Sequence, residues 1–203
     1  MHIVFYGPEG SGKGTQASLL AKKLNLSVLV SGDLVRDAAT YDKGLIGETC
    51  RISLNEGKYV ADSEMFVLWK KRLKEKDARK GWVMDGFPRN IDQAEFLVNK
   101  VLKYGYKINK VFYLKISPEE SIKRLLKRGR KLHAGNSELH DSPERIKQRL
   151  SMYYHGEKAV LEYFKKMGIL EEINGEREID EIHKDILSRL KNKKEAQHDS
   201  YQR

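Results

Sequence analysis

Short apolar runs recur along the chain, and each is cut off by glycine or a polar cluster. Between them lie stretches whose apolar positions repeat at helical spacing. Residues 2–6 are rich in β-formers and Gly7 ends them abruptly, which predicts a buried strand. Ala17, Leu19, Leu20, Ala21 and Leu24 then predict a helix over 14–24. Ser27-Val28-Leu29-Val30 reads as a second strand. Residues 33–80 are mostly helical in pattern, broken at Gly44 and Gly57. Trp82-Val83-Met84 is a third strand, stopped by Asp85-Gly86-Phe87-Pro88. Residues 92–104 form a helix with Ala94, Phe96, Leu97, Val101 and Leu102 on one side, and Val111–Leu114 is a fourth strand.

Ser117-Pro118-Glu119-Glu120 starts a helix that runs to about Arg128. It has a hydroxyl N-cap, proline in the first turn and acids at the positive end of the dipole. Residues 129–142 hold Gly129, Gly135, Asn136 and Ser137 and read as a loop. Ser142-Pro143-Glu144 opens another helix, Ile169–Ile173 is a fifth, edge-like strand, and 178–190 form a last helix. The polar tail from Lys191 is expected to fray. Strands alternating with helices imply an α/β fold, a parallel sheet covered on both faces. Ligands of such folds bind at the carboxyl ends of the strands. The first three strands end in Gly, Ser-Gly-Asp and Asp-Gly, so chemistry is expected there.

The length, 203 residues, suits one domain with a core that needs no disulfides. No run approaches 18 apolar residues, so no transmembrane helix is expected. The single cysteine, Cys50, excludes an internal disulfide framework and a Cys-rich zinc site. The first residues lack the basic region of a signal peptide, so a cytoplasmic location is expected. The net charge of +10 and a pI near 9.5 favour anionic partners. Nucleic acid, a membrane surface and nucleotide phosphates all qualify, and charge alone does not choose.

Gly7-Pro8-Glu9-Gly10-Ser11-Gly12-Lys13-Gly14-Thr15 narrows the choice. It follows the first strand and opens a helix. Glycines let the backbone wrap phosphates with its amides inward, and the helix N-terminus favours an anion. Lys13 can reach the β- and γ-phosphates. The bland alternative is a glycine-rich turn before a helix. Ser or Thr would ordinarily follow the lysine directly; here Gly14 intervenes before Thr15.

Gly12-Lys13-Gly14-Thr15-Gln16 resembles adenylate kinases and the wider nucleoside monophosphate kinase family. That family usually has proline where Glu9 stands, and a carboxylate there is unfavourable to phosphates unless it points outward. The resemblance implies that Gly10, Ser11, Gly12, Lys13, Gly14 and Thr15 hold ATP, and further segments match in order. Ser31-Gly32-Asp33-Leu34-Val35-Arg36 resembles the segment whose arginine, here Arg36, holds the AMP phosphate. Gly57-Lys58-Tyr59-Val60 resembles a turn that contacts the monophosphate through its backbone. Asp85-Gly86-Phe87-Pro88-Arg89 is the family's most distinctive segment, with Arg89 the second phosphate arginine. The same resemblance implies Mg²⁺ held by ATP phosphates and water, with Asp85 and Asp33 acting through that water. Gln93 would read the adenine edge, and Ser31 with Gln93 favours AMP over pyrimidine monophosphates. The alternative for Gln93 is a plain surface position.

Arg124 and Arg128 lie four apart and share a helix face, with Lys123, Lys127, Arg130 and Lys131 around them. The cluster also suits a nucleic-acid patch, but no aromatic residue interleaves between 114 and 152. By resemblance, Arg124 and Arg128 serve ATP, and Arg149 contacts AMP and faces the transferred phosphoryl in a short-lid enzyme without zinc. Gly175-Glu176-Arg177 resembles the loop whose backbone reads the ATP base. The family's Arg-x-Asp-Asp is here Glu138-Leu139-His140-Asp141. Arg130 or Lys131 is a candidate to replace the missing arginine, or both are ordinary surface charges. His133 and His140 could suggest a metal pair, but two histidines alone read as loop surface.

The family reading thus implies a five-stranded P-loop fold over 1–191, an AMP-binding insertion at 31–60, a lid at 129–142 and a disordered tail at 192–203. The implied reaction is ATP + AMP ⇌ 2 ADP, with Lys13, Asp85, Arg89, Arg128 and Arg149 carrying the chemistry. Nucleotides are the expected partners, and a monomer without membrane or nucleic-acid contacts is expected. The alternatives are a UMP/CMP-type kinase, a nucleotide-binding pseudoenzyme suggested by Glu138, and a basic RNA-binding module.

Overall fold

The computed structural model describes residues 1–131 and 140–198, with side chains up to 190. Five strands appear where the apolar runs predict them: β1 (His2–Tyr6), β2 (Ser27–Val30), β3 (Trp82–Asp85), β4 (Lys110–Lys115) and β5 (Leu170–Asn174). The helices are α1 (Lys13–Leu24), α2 (Ser31–Tyr41), α3 (Leu45–Glu56), α4 (Asp62–Arg72), α5 (Lys76–Lys80), α6 (Ile91–Lys103), α7 (Pro118–Arg128), α8 (Pro143–Lys166) and α9 (Ile179–His198). The strands form one parallel sheet in the order β2-β3-β1-β4-β5. Every carboxyl end therefore opens at one edge, and β1 lies in the middle of it.

Alternation along the strands divides the core. Ile3, Phe5, Val83, Phe112 and Leu114 face α1 and α9, where Leu20, Ile182 and Ile186 close the layer. Val4, Tyr6, Met84, Val111 and Tyr113 face the opposite way, toward Leu97 of α6 and Val160 and Phe164 of α8. A small third cluster of Leu125, Ile146 and Leu150 fixes α7 to the start of α8. Ser117 and Ser142 cap α7 and α8 by accepting from the N–H groups of Glu120 and Arg145.

The helical span expected over 33–80 resolves into four helices. Gly44 and Gly57 bound α3 as the pattern predicted, Gly57 in the left-handed conformation at φ 68°. Helix α2 begins at Ser31, directly on the end of β2, so Ser31-Gly32-Asp33 is a first helical turn. The last helix does not stop near 190: α9 continues to His198, through Lys, Glu, Ala and Gln residues of good helix propensity. No helix among the described residues is long and apolar enough to cross a membrane.

At the amino edge of the sheet, the His2 ring stacks on Tyr106 at 4.1 Å and tilts against Trp82 at 5.2 Å. Burial, and then the positive N-terminus beside it, push the imidazole pKa from 6.5 to about 4. Below about 6.5 the unfolded chain takes up a proton that the folded chain refuses. Stability tied to neutral His2 is thus present above that pH and lost as pH falls toward 4, by at most about 1.4 kcal/mol per pH unit. Urea unfolding of His2→Gln should show a flatter dependence than the wild type between these values. Parallel curves would refute the assignment.

Candidate active site

The turn after β1 is shaped by a close approach. A Cβ at Gly7 would stand 2.5 Å from the carbonyl oxygen of Leu114 on the neighbouring strand, so only glycine fits. The chain then wraps through Gly10 and Gly12 into α1. Lys13 folds back over this loop, its Nζ donating to the carbonyls of Gly7 at 2.8 Å and Pro8 at 2.7 Å. Burial pushes the Lys13 ammonium below its ordinary pKa, and the carboxylates of Asp85 and Glu9 oppose that shift. Gly14 has its own reason. A Cβ there would lie 3.1 Å from Oδ2 of Asp85, so the residue after the lysine leaves room for that carboxylate. The end of β3 and the start of α1 thereby meet.

The monophosphate candidates gather beside it. Ser31 donates from Oγ to the carbonyl of Asp85 at 3.4 Å, linking the ends of β2 and β3. Arg36 pairs with Asp33 at 2.5 Å and lies over Gly32, where a Cβ would meet its Nη1 at 3.0 Å. Asp33, expected near the metal water, is thus engaged by Arg36. Lys58 pairs with Glu56, and Val60 is buried. Phe87 is buried against Trp69, which anchors the segment carrying Gly86 and Arg89. Arg89 donates from Nε to the Gly86 carbonyl at 3.0 Å and lies over the Tyr59 ring at 3.7 Å. Its Nη1 is buried with no acceptor among the described residues.

Gln93 is not a surface position, being 4 % exposed. Its Oε1 accepts from the Arg89 N–H at 2.8 Å and its Nε2 donates to Asp62 at 2.6 Å. One amide hydrogen and one lone pair remain. Asp62 also accepts from Asn90, so the first turn of α6 is held rigidly against α4.

Glu9 does not take the outward orientation that would keep its carboxylate clear of phosphates. It turns inward, Oε2 accepting from Arg149 Nε at 2.9 Å and Oε1 from the Tyr59 hydroxyl at 2.6 Å. Burial opposes its charge, but Arg149, then Arg89 and the Tyr59 hydroxyl, outweigh it and hold the carboxyl down to about 2. Local cations make the inward position favourable.

Asp141 plays the same part on the lid side, with no exposed side-chain surface. It accepts a two-pronged contact from Arg128 at 2.8 and 2.9 Å, a bond from Arg149 Nη2 at 3.0 Å and one from the Arg130 N–H at 3.0 Å. Burial works against this carboxylate too, yet the Arg128 fork, the Arg130 N–H and His140 keep it below the usual range. Arg124 joins Glu120 at 2.7 Å and the Gly175 carbonyl at 2.9 Å, spanning α7 and the turn after β5. Arg177 turns away to Asp185 of α9. Arg130 reaches the His140 ring at 3.1 Å, and Lys131 is exposed. Glu138 and His133 lie outside the described residues, and among the described residues no three metal-binding side chains cluster.

The structure therefore brings Lys13, Asp85, Arg89, Arg128 and Arg149 to one edge of the sheet. Sequence reasoning passed over Asp62 and the inward role of Glu9, and it noted Asp141 only as the last position of the altered family segment, without a role. Asp62 and Glu9 carried no local signal, because their partners Gln93, Tyr59 and Arg149 are distant in the chain.

Comparisons with known proteins find relatives along most of the chain. The family model described as adenylate kinase matches residues 5–169. An adenylate kinase of Prochlorococcus marinus (strain MIT 9515) is 35% identical over 189 residues, covering 93% of this chain and 98% of the relative. One of Stenotrophomonas maltophilia is 33% identical over 191 residues, covering 94% and 100%. One of Thermobifida fusca is 34% identical over 194 residues, covering 95% and 100%. With a five-stranded parallel P-loop fold and likeness along almost its whole length, this phosphotransferase belongs to the adenylate kinase family.

Proposed function

We propose that the protein transfers the γ-phosphoryl group of ATP to AMP, giving two ADP. The observation that carries this is the buried Nη1 of Arg89, a charged donor without an acceptor among the described residues, next to the phosphate loop. A buried guanidinium donor left unpaired is costly, and a phosphate oxygen satisfies it. An oxygen of the AMP phosphate attacks the γ-phosphorus while the bond to the β–γ bridging oxygen breaks. No protein nucleophile is needed. Catalysis is positioning and charge stabilisation.

In this scheme the phosphate-loop amides and Lys13 hold the ATP phosphates, with Arg124 and Arg128 on the ATP side. Arg36, Arg89 and Arg149 hold the AMP phosphate, and Arg149 also faces the group in flight. Ser31, Gly32 and the Lys58–Val60 turn line the AMP side, and Gln93 offers its free donor and acceptor to the base. Mg²⁺ suits the donor set: without a protein cage among the described residues, nucleotide phosphates and water would hold it, with Asp85 as the nearby carboxylate, and it would neutralise charge on the phosphates. The segment 31–60 would close over AMP and the lid at 129–142 over ATP, excluding water from the transfer.

Three tests follow from these roles. Lys13→Ala should cost at least about 10²–10³-fold in turnover with the fold intact by circular dichroism. Near-normal turnover of that variant would sink the assignment. Specificity constants should favour AMP over CMP and UMP by about 10²-fold or more, because a site built to hydrogen-bond one base leaves polar groups unpaired with another. The double variant Gln93→Asn, Ser31→Ala should shift that preference toward pyrimidines; equal constants for AMP and CMP in the wild type would refute the base-reading role. On the lid, Arg130→Ala should cost about tenfold or more in kcat if Arg130 supplies the lid cation. Unchanged kcat would remove it from the mechanism.

A further inference from the structure

Glu9 stands inside the phosphate loop, yet its backbone and side chain together are tied to three other parts of the molecule. Its own backbone carbonyl accepts from the Ser121 hydroxyl of α7 at 2.5 Å. Its Oε1 holds Tyr59, after α3, and its Oε2 holds the Nε of Arg149 on α8. The remaining contacts of that guanidinium go to the His140 carbonyl at 2.7 Å and to Asp141 at 3.0 Å. A phosphoryl oxygen approaching Arg149 from the loop side meets a donor that a protein anion already holds. Two anions on one donor repel.

The two carboxylates on Arg149 differ in freedom. Asp141 is wholly buried and locked by Arg128 and by the Arg130 N–H. Glu9 is 21% exposed and is carried between Gly7 and Gly10, both at positive φ. Glu9 is the one that can leave.

We propose that Glu9 is an internal competitor of the phosphoryl group for Arg149, so that nucleotide binding requires its carboxylate to leave the guanidinium. This deepens the phosphoryl-transfer reading of the same site and rests on it. While Glu9 is in place it neutralises Arg149 and tethers Tyr59 to the loop. Its return to Arg149 helps expel a bound nucleotide. The residue thus sets affinity against stability of the protein alone.

Calorimetric titration of AMP and of ATP, each alone, into wild type and Glu9→Gln tests this. The amide keeps the shape and removes the charge. We expect AMP to bind about 5–20-fold more tightly to Glu9→Gln, in line with loss of one competing charge-assisted hydrogen bond. The melting temperature of the protein alone should fall, while the shift produced by saturating AMP grows. A purely structural role would lower stability and weaken binding together, and that result overturns the proposal, as does unchanged affinity. In an Arg149→Lys background the gain from Glu9→Gln should vanish; a gain that persists would also overturn it. Glu9→Ala gives the same readouts should the amide variant not fold. The reaction itself is judged separately. A wild-type protein that binds AMP but does not turn over ATP with AMP refutes the reaction, whereas an active enzyme whose Glu9→Gln form binds AMP no better refutes the competitor.

Discussion

Cationic groups crowded beside one phosphate loop repel one another, and the rest of the site is arranged around that fact. Arg89 and Arg128 both act against the charge on Lys13, while Asp85 and Glu9 support it. Two inward carboxylates, Glu9 and Asp141, supply much of the compensation. Each is taken out of water at a cost, and each stays ionised because guanidinium groups sit against it. Without them the partly buried Arg128 and the almost wholly buried Arg149 would lose their carboxylate partners. With them the cations are held in a geometry that phosphates can take over.

The sheet makes this crowding achievable. Parallel strands deliver the phosphate loop, the start of α2 and the Asp85–Arg89 segment to the same edge. Glycine at position 7 lets the loop pack against β4, and glycine at 14 leaves space for Asp85. Helix α8 then brings Arg149 back across the sheet, held by Val160 and Phe164 in the core and by Tyr113 and Tyr153 on Glu157. The rigid layer thus positions groups whose own tendency is to separate.

Two kinds of partner surround the reacting groups. Gln93, Asn90 and Asp62 form a closed hydrogen-bonded set on the side proposed for AMP, fixing the orientation of the glutamine amide. On the lid side the contacts are ionic and converge on Asp141, which also draws the two ends of the 129–142 segment together through Arg130. Hydrogen-bonded amides give direction, and ion pairs give strength that an incoming phosphate can match. The two halves are suited to reading a base and to gripping a phosphate.

Sequence by itself determined the strands, the phosphate loop, the glycine breaks at 44 and 57 and the capped starts of α7 and α8. All of these depend on neighbours within a few residues, so periodicity and turn chemistry are enough to read them. Resemblance of short contiguous segments located Lys13, Arg36, Asp85, Arg89 and Gln93 for the same reason. The tertiary structure alone decided where Glu9 points, because its partner Arg149 is 140 residues away and its other partner, Tyr59, is 50 away. It likewise decided that Asp62 holds Gln93 and that Asp141 gathers Arg128 and Arg149. A carboxylate's direction depends on which cations the fold sets within hydrogen-bond reach, and that local field is created only when distant segments pack together.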